Sequence, residues 1–121
     1  MSTLPTTCLA RPESWHTRTM NEITVDELKS ALENGASVID VREIDEFQGG
    51  RVPGAINAPL SELSSHVEKF KSTSPIYVIC QAGGRSARAI EALEEAGISG
   101  LTNVAGGTGA WKARNYPVEV G

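Results

Sequence analysis

Ile76-Tyr77-Val78-Ile79-Cys80-Gln81-Ala82-Gly83-Gly84-Arg85-Ser86 runs from an apolar stretch, through a cysteine and two adjacent glycines, to an arginine and the start of a helical pattern. A continuous apolar run of this length reads as a strand buried on both faces, as in a parallel sheet. Residues 86–96 then read as a helix, with Ala89, Ile90, Leu93 and Ala96 on one side and Gly97 closing it. Strand, glycine turn and helix in succession are the unit from which α/β sheets are built.

The same alternation extends in both directions. Upstream, Thr24 and Glu27 form a capping-box pair, and Ile23 and Leu28 stand where a hydrophobic staple would pack. That helix continues through Ala31 and Leu32 to Gly35, and residues 37–41 follow as a short strand. Residues 43–58 are read as loop-rich, because Gly49, Gly50, Pro53 and Gly54 interrupt any pattern, with a brief strand at 55–57. Ser61 is expected to cap a helix reaching Phe70, and residues 72–75 to form a turn. Downstream, residues 101–104 read as a strand and 108–114 as a short helix that Pro117 terminates. The expected fold is α/β, a mainly parallel central sheet flanked by helices with right-handed crossovers.

The chain has 121 residues, the size of one domain. Residues 21–121 are assigned to it, and residues 1–20, mixed in polarity and without an apolar core, to a flexible tail. Aromatic residues are only 5%, so Val, Ile, Leu and Ala must build the core. A formal charge of -4 disfavours nucleic acid or an anionic membrane as partner. No apolar run approaches a membrane span, and the default expectation is a cytoplasmic protein. Cys8 and Cys80 form no C-x-x-C, and His16 and His66 sit fifty residues apart with no cysteine pair nearby, so no metal site is expected.

Cys80 stands at the carboxyl end of the most apolar strand, where parallel α/β sheets bind ligands. The two glycines allow the backbone to curl so that several amide N–H groups point inward. The helix that follows adds partial positive charge, and Arg85 a full one. Each effect favours thiolate over thiol, lowering a pKa that is about 8.5 for free cysteine. The alternative is an inert cysteine buried at a strand end. Four residues separate Cys80 from Arg85. Phosphatases with a strand–Cys-loop–Arg–helix layout use five, and a smaller ring suits a sulfur atom better than a tetrahedral phosphate.

On these residues the chain resembles the single-domain rhodaneses, or thiosulfate sulfurtransferases. The matching pieces are Asp40-Val41-Arg42 with Glu46-Phe47, Gly50-Arg51-Val52-Pro53-Gly54-Ala55-Ile56-Asn57, Cys80 to Ser86, and Gly106-Gly107 with Trp111. Arg51 stands where the family usually has His. The resemblance implies a rhodanese fold and a cofactor-free enzyme. Cys80 would take a sulfane sulfur from a small donor such as thiosulfate, become a persulfide, and pass the sulfur to a thiophilic acceptor such as cyanide or a thiol. The loop Gln81, Ala82, Gly83, Gly84, Arg85 and Ser86 would hold the substrate.

Supporting roles are assigned to Asp40, Arg42, Glu46 and Trp111. Asp40 and Arg42 are read as an ion pair bracing the loop, and Trp111 as either a pocket wall or a core residue. Gly106-Gly107-Thr108-Gly109 does not complete a dinucleotide-binding pattern, because Lys112 replaces the third glycine, and is read as tight backbone packing. Cys8 is read as inert. Two other classes stay open: a persulfide carrier or interaction module serving a partner protein, and a small phosphatase or arsenate reductase. Donor, acceptor, oligomeric state and pathway are not legible in the sequence.

Overall fold

The computed structural model describes residues 21–121 apart from Thr73. The expectations for the tail, for Cys8 and for His16 lie outside the described residues.

The elements are β1 (Glu22–Ile23), α1 (Val25–Glu33), β2 (Ser37–Asp40), α2 (Ile44–Gln48), β3 (Ile56–Asn57), a 3-10 segment (Leu60–Phe70), β4 (Ile76–Ile79), α3 (Gly84–Glu95), β5 (Leu101–Val104) and α4 (Gly107–Ala113). Five strands form one sheet in the order β1-β5-β4-β2-β3, and every pairing is parallel. From β2 the chain moves outward to β3, and from β4 it moves outward the other way to β5. The switch point therefore lies between β2 and β4, where Asp40 is in register with Ile79. A crevice beyond the carboxyl ends of two strands diverging in this way is where open α/β sheets place their ligands.

The strand period of two divides the core. Ile76, Val78 and Cys80 pack with Ile39, Phe70, Ala89, Ile90, Leu93 and Leu101. Ile79 packs with Val25, Leu28, Val38, Val104 and Trp111 on the opposite face. Parity alone thus puts the Cys80 side chain on the α3 face. On α3, Ser86, Ala89, Ile90 and Leu93 form the buried stripe, so the apolar pattern continues one turn back into a serine.

Several boundaries differ from the sequence reading. The stretch read as loop-rich contains α2, a helix of 5 residues that is too short to display a period. Its capping box is made by Glu43 and Glu46. Ile23 lies in β1, a strand of 2 residues recognisable only through its partner β5. Ser61 does not cap the following segment. That segment begins after Pro59 as a 3-10 turn with a kink at Glu62, and the Ser61 hydroxyl instead donates to Glu43 at 2.7 Å. The Thr24–Glu27 capping box forms as expected. Beyond α4, Glu119 pairs with Arg51 in an antiparallel bridge.

Candidate active site

Cys80 immediately follows β4 and is 1% exposed. Its Sγ accepts a hydrogen bond from the Gly83 amide at 3.0 Å. The Ser86 hydroxyl lies 3.4 Å away. Gly83 turns the chain with a φ of 107°, a left-handed conformation open to glycine at low cost. That turn points the loop amides at the sulfur. Burial pushes the Cys80 pKa up, but hydrogen bonds from the Ser86 hydroxyl and from the Ser86, Gly83 and Ala82 amides outweigh it, and the net shift is downward. The loop therefore favours the thiolate through the Ser86 hydroxyl first and its own amides second.

The charged groups around this ring come in pairs. Arg85 donates to both oxygens of Glu46, at 2.7 Å and 2.9 Å. This bidentate pair holds the Glu46 carboxyl at about 2, with the Glu43 amide assisting and partial burial opposing. The Arg85 pKa is raised, chiefly by Glu46, with burial opposing and smaller attractions from Cys80 and Asp40. The Arg85 fork, expected to be part of the substrate loop, grips α2 through Glu46, and its attraction to Cys80 is a smaller, through-space one.

Asp40 and Arg42 form the buried brace. The Arg42 guanidinium donates to Asp40 at 2.8 Å, to the Gly50 carbonyl at 2.8 Å and to the Gln81 side-chain oxygen at 3.3 Å. Asp40 is 0% exposed and Arg42 is 2% exposed, so solvent screens the pair little, and the Gly50 and Gln81 oxygens take further Arg42 donors. Asn57 caps the end of β2 by donating to the Asp40 and Arg42 carbonyls. The carboxyl end of β2 is thereby tied to the cysteine loop.

The start of α4 supports the loop from behind. The Thr108 and Gly109 amides donate to the Cys80 and Gln81 carbonyls at 2.8 Å and 3.0 Å. A Cβ on Gly107 would come within 2.3 Å of the Cys80 carbonyl oxygen, so no side chain fits there. At Gly84, by contrast, a Cβ would meet nothing within 4 Å. Trp111 lies in the core at 2% exposure. Its indole donates to the Pro117 carbonyl at 2.7 Å, and its ring meets Tyr116 edge-on at 5.0 Å. It is a core residue that anchors α4 to the segment beyond it.

Two residues escaped the sequence reading. Asn103 of β5 is 1% exposed and accepts from the Ser86 hydroxyl. Glu22 of β1 accepts from the Asn103 amide at 3.0 Å. A signal was present: Asn103 shares the buried parity of Leu101, where a polar side chain needs a partner. Among the described residues, no group of three or more His, Cys, Asp or Glu side chains could hold a metal ion. No helix among them is long and apolar enough to cross a membrane.

The family model described as Rhodanese-like domain matches residues 24–114. Thiosulfate sulfurtransferase 16, chloroplastic, of Arabidopsis thaliana is 32% identical over 117 residues, which cover 84% of this chain and 95% of that protein. YrkF of Bacillus subtilis, provisionally named a sulfur carrier protein, is 30% identical over 95 residues, covering 77% of this chain and 51% of that protein. The crystal structure of a rhodanese-related protein from Thermoplasma volcanium superposes with a TM-score of 0.75 at 33% identity, covering 84% of this chain and 99% of that one.

Proposed function

The chain belongs to the rhodanese-like domain family, and from that premise we propose that it is a sulfurtransferase working through a Cys80 persulfide. The observation that carries this reading is the ring of donors on Sγ, formed by the Gly83 amide at 3.0 Å and the Ser86 hydroxyl together with the neighbouring loop amides. Such a ring keeps the sulfur anionic without a general base, and only the anion is a competent nucleophile. In the first half-reaction the thiolate attacks the sulfane sulfur of thiosulfate. The sulfur–sulfur bond of the donor breaks, and sulfite leaves with the bonding electron pair. In the second, an acceptor such as cyanide or a thiolate takes the outer sulfur, and the Cys80 thiolate returns. Neither half needs a cofactor. A tight ring of amides around one sulfur also fits sulfur transfer better than phosphate hydrolysis.

Residues Gln81 to Ser86 form the substrate loop in this proposal, with Asp40, Arg42 and Glu46 as its braces. A reducing cytoplasm would keep Cys80 available as a thiol, and that setting is part of the proposal. The similarity to a protein named as a sulfur carrier favours a second reading, in which a protein thiol is the acceptor.

The deciding experiment incubates the purified protein with thiosulfate and follows Cys80 by mass spectrometry. One added sulfur on the Cys80 peptide, removed by cyanide with release of thiocyanate, is the expected result. No added sulfur from any sulfane donor would overturn both readings. Discharge to proteins but not to cyanide would select the carrier.

A further inference from the structure

The Ser86 hydroxyl has one hydrogen and three oxygen or sulfur neighbours within reach. They are Cys80 Sγ at 3.4 Å, the Gly83 carbonyl at 3.2 Å and Asn103 Oδ1. The Gly83 carbonyl already accepts from the Ala87 amide at 3.2 Å and from Asn103 Nδ2 at 3.3 Å, which uses its two lone pairs. That leaves Asn103 and Cys80 as rivals for the proton.

The Asn103 amide cannot yield by turning over. Its nitrogen faces two groups that only accept, the Glu22 carboxylate at 3.0 Å and the Gly83 carbonyl. Its oxygen is therefore fixed toward Ser86 and can only accept. In the thiol state every group is satisfied: the S–H donates to Ser86 Oγ, and the Ser86 O–H donates to Asn103 Oδ1. When the sulfur proton leaves to solvent, the hydroxyl must either abandon a buried Asn103 oxygen or leave the thiolate to the amides alone. Either choice costs a hydrogen bond in the ionised state.

We infer that Asn103, held in one orientation by Glu22, is a positioning residue that competes with Cys80 for the single Ser86 hydrogen and so limits how acidic the thiol becomes. The other charged groups around the sulfur are on different elements and already partnered. They are Arg85 of α3 with Glu46 of α2, and Arg42 with Asp40 at the end of β2. Lys112 of α4 has its ammonium beside Gly50. The charged side chain hydrogen-bonded to the Ser86–Asn103 pair is Glu22.

The inference rests on Cys80 as the working thiolate, and its test reads that thiolate directly. The rate of alkylation by iodoacetamide is measured against pH in a Cys8→Ser background. Asn103→Leu removes the rival acceptor at similar volume. The rate on the acidic limb of the profile is expected to rise about fivefold, the worth of one hydrogen bond. In a Ser86→Ala background the same substitution is expected to do nothing. A rate that is unchanged or lower, or a rise that persists without the Ser86 hydroxyl, would overturn the inference.

Should Asn103→Leu fail to fold, the exposed Glu22 decides. Glu22→Gln and Glu22→Ala both lose the charge, but only Gln keeps an acceptor for the Asn103 amide. Glu22→Ala is expected to be the faster of the two, and to match Glu22→Gln in the Ser86→Ala background. Equal rates with Ser86 present would overturn the role of Glu22. Absence of sulfur transfer alongside these rate changes would sink the proposed function and leave this inference standing.

Discussion

Arg85 and Glu46 close on each other through two parallel hydrogen bonds of 2.7 Å and 2.9 Å, joining the first turn of α3 to α2. The cation next to the cysteine loop is therefore half of a fork-to-fork pair, and its loss leaves a carboxylate behind. Arg85→Ala is expected to lower kcat/KM for thiosulfate by more than tenfold, through the uncompensated Glu46 charge and a less ionised Cys80. The double variant Arg85→Ala/Glu46→Gln should recover several-fold of that loss. Steady-state kinetics with thiosulfate and with a neutral persulfide donor would check it. Equal losses in the single and double variants would show that the pair is not coupled to the thiolate.

The same pair sets an acid-dependent part of the stability. Glu46 titrates at about 2 in the folded protein against an ordinary 4.5. A folded pKa below the unfolded one stabilises above the unfolded value, and the contribution is lost as pH falls through the folded value. Glu46→Gln should cost about 1 kcal/mol at pH 7, a modest figure because the pair is part-exposed and screened. The gap between wild type and variant should close as pH falls from 4.5 toward 2. Denaturant unfolding at several pH values measures it.

Glycines that look alike in the sequence should respond differently. Gly84 lies in α3 with open space where a Cβ would go. Gly84→Ala is expected to be neutral or to stabilise by about 0.5 kcal/mol. Gly107 has a φ of 58°, and its Cβ would strike the Cys80 carbonyl. Gly107→Ala should cost about 2 kcal/mol or more and displace the loop. Thermal unfolding together with the sulfur-transfer rate separates the two cases.

Ring size should discriminate sulfur from phosphate. One glycine inserted between Gly83 and Gly84 lengthens the loop between Cys80 and Ser86, and so widens the ring in which the Ser86 hydroxyl lies 3.4 Å from Sγ. Sulfur transfer should fall by roughly two orders of magnitude, as when a donor to a developing charge is removed. Aryl phosphate hydrolysis should be negligible in the unmodified protein, and robust turnover there would refute the argument from loop size.

Cys80→Ser should abolish sulfur transfer with an unchanged circular dichroism spectrum, because serine forms no persulfide. Cys8→Ser should leave the rate within about twofold, and a larger loss would give Cys8 a part in the chemistry.

The α/β class, the sheet strands β2, β4 and β5, and the position of Cys80 are local properties, and the sequence alone determined them. Continuous apolar runs need burial on both faces, and the Gly83-Gly84 pair marks the turn into a helix. The alternation of Ile76, Val78 and Cys80 places them on one face of the strand, and only the packing decides that α3 covers that face. Of the short elements, β3 was legible as a brief strand at 55–57, but β1, with 2 residues, and α2, with 5, were not, because they are too short to express a period. Partners were not legible either. That Arg85 grips Glu46, and that Gly107 and not Gly84 must lack a side chain, follows from which elements meet at the switch point. The link from Glu22 through Asn103 to Ser86 spans strands that the sheet order makes neighbours. Adjacent positions in the chain carry propensity and pattern, but hydrogen bonds and charge pairs form between residues that only the packed sheet brings within 3 Å of one another.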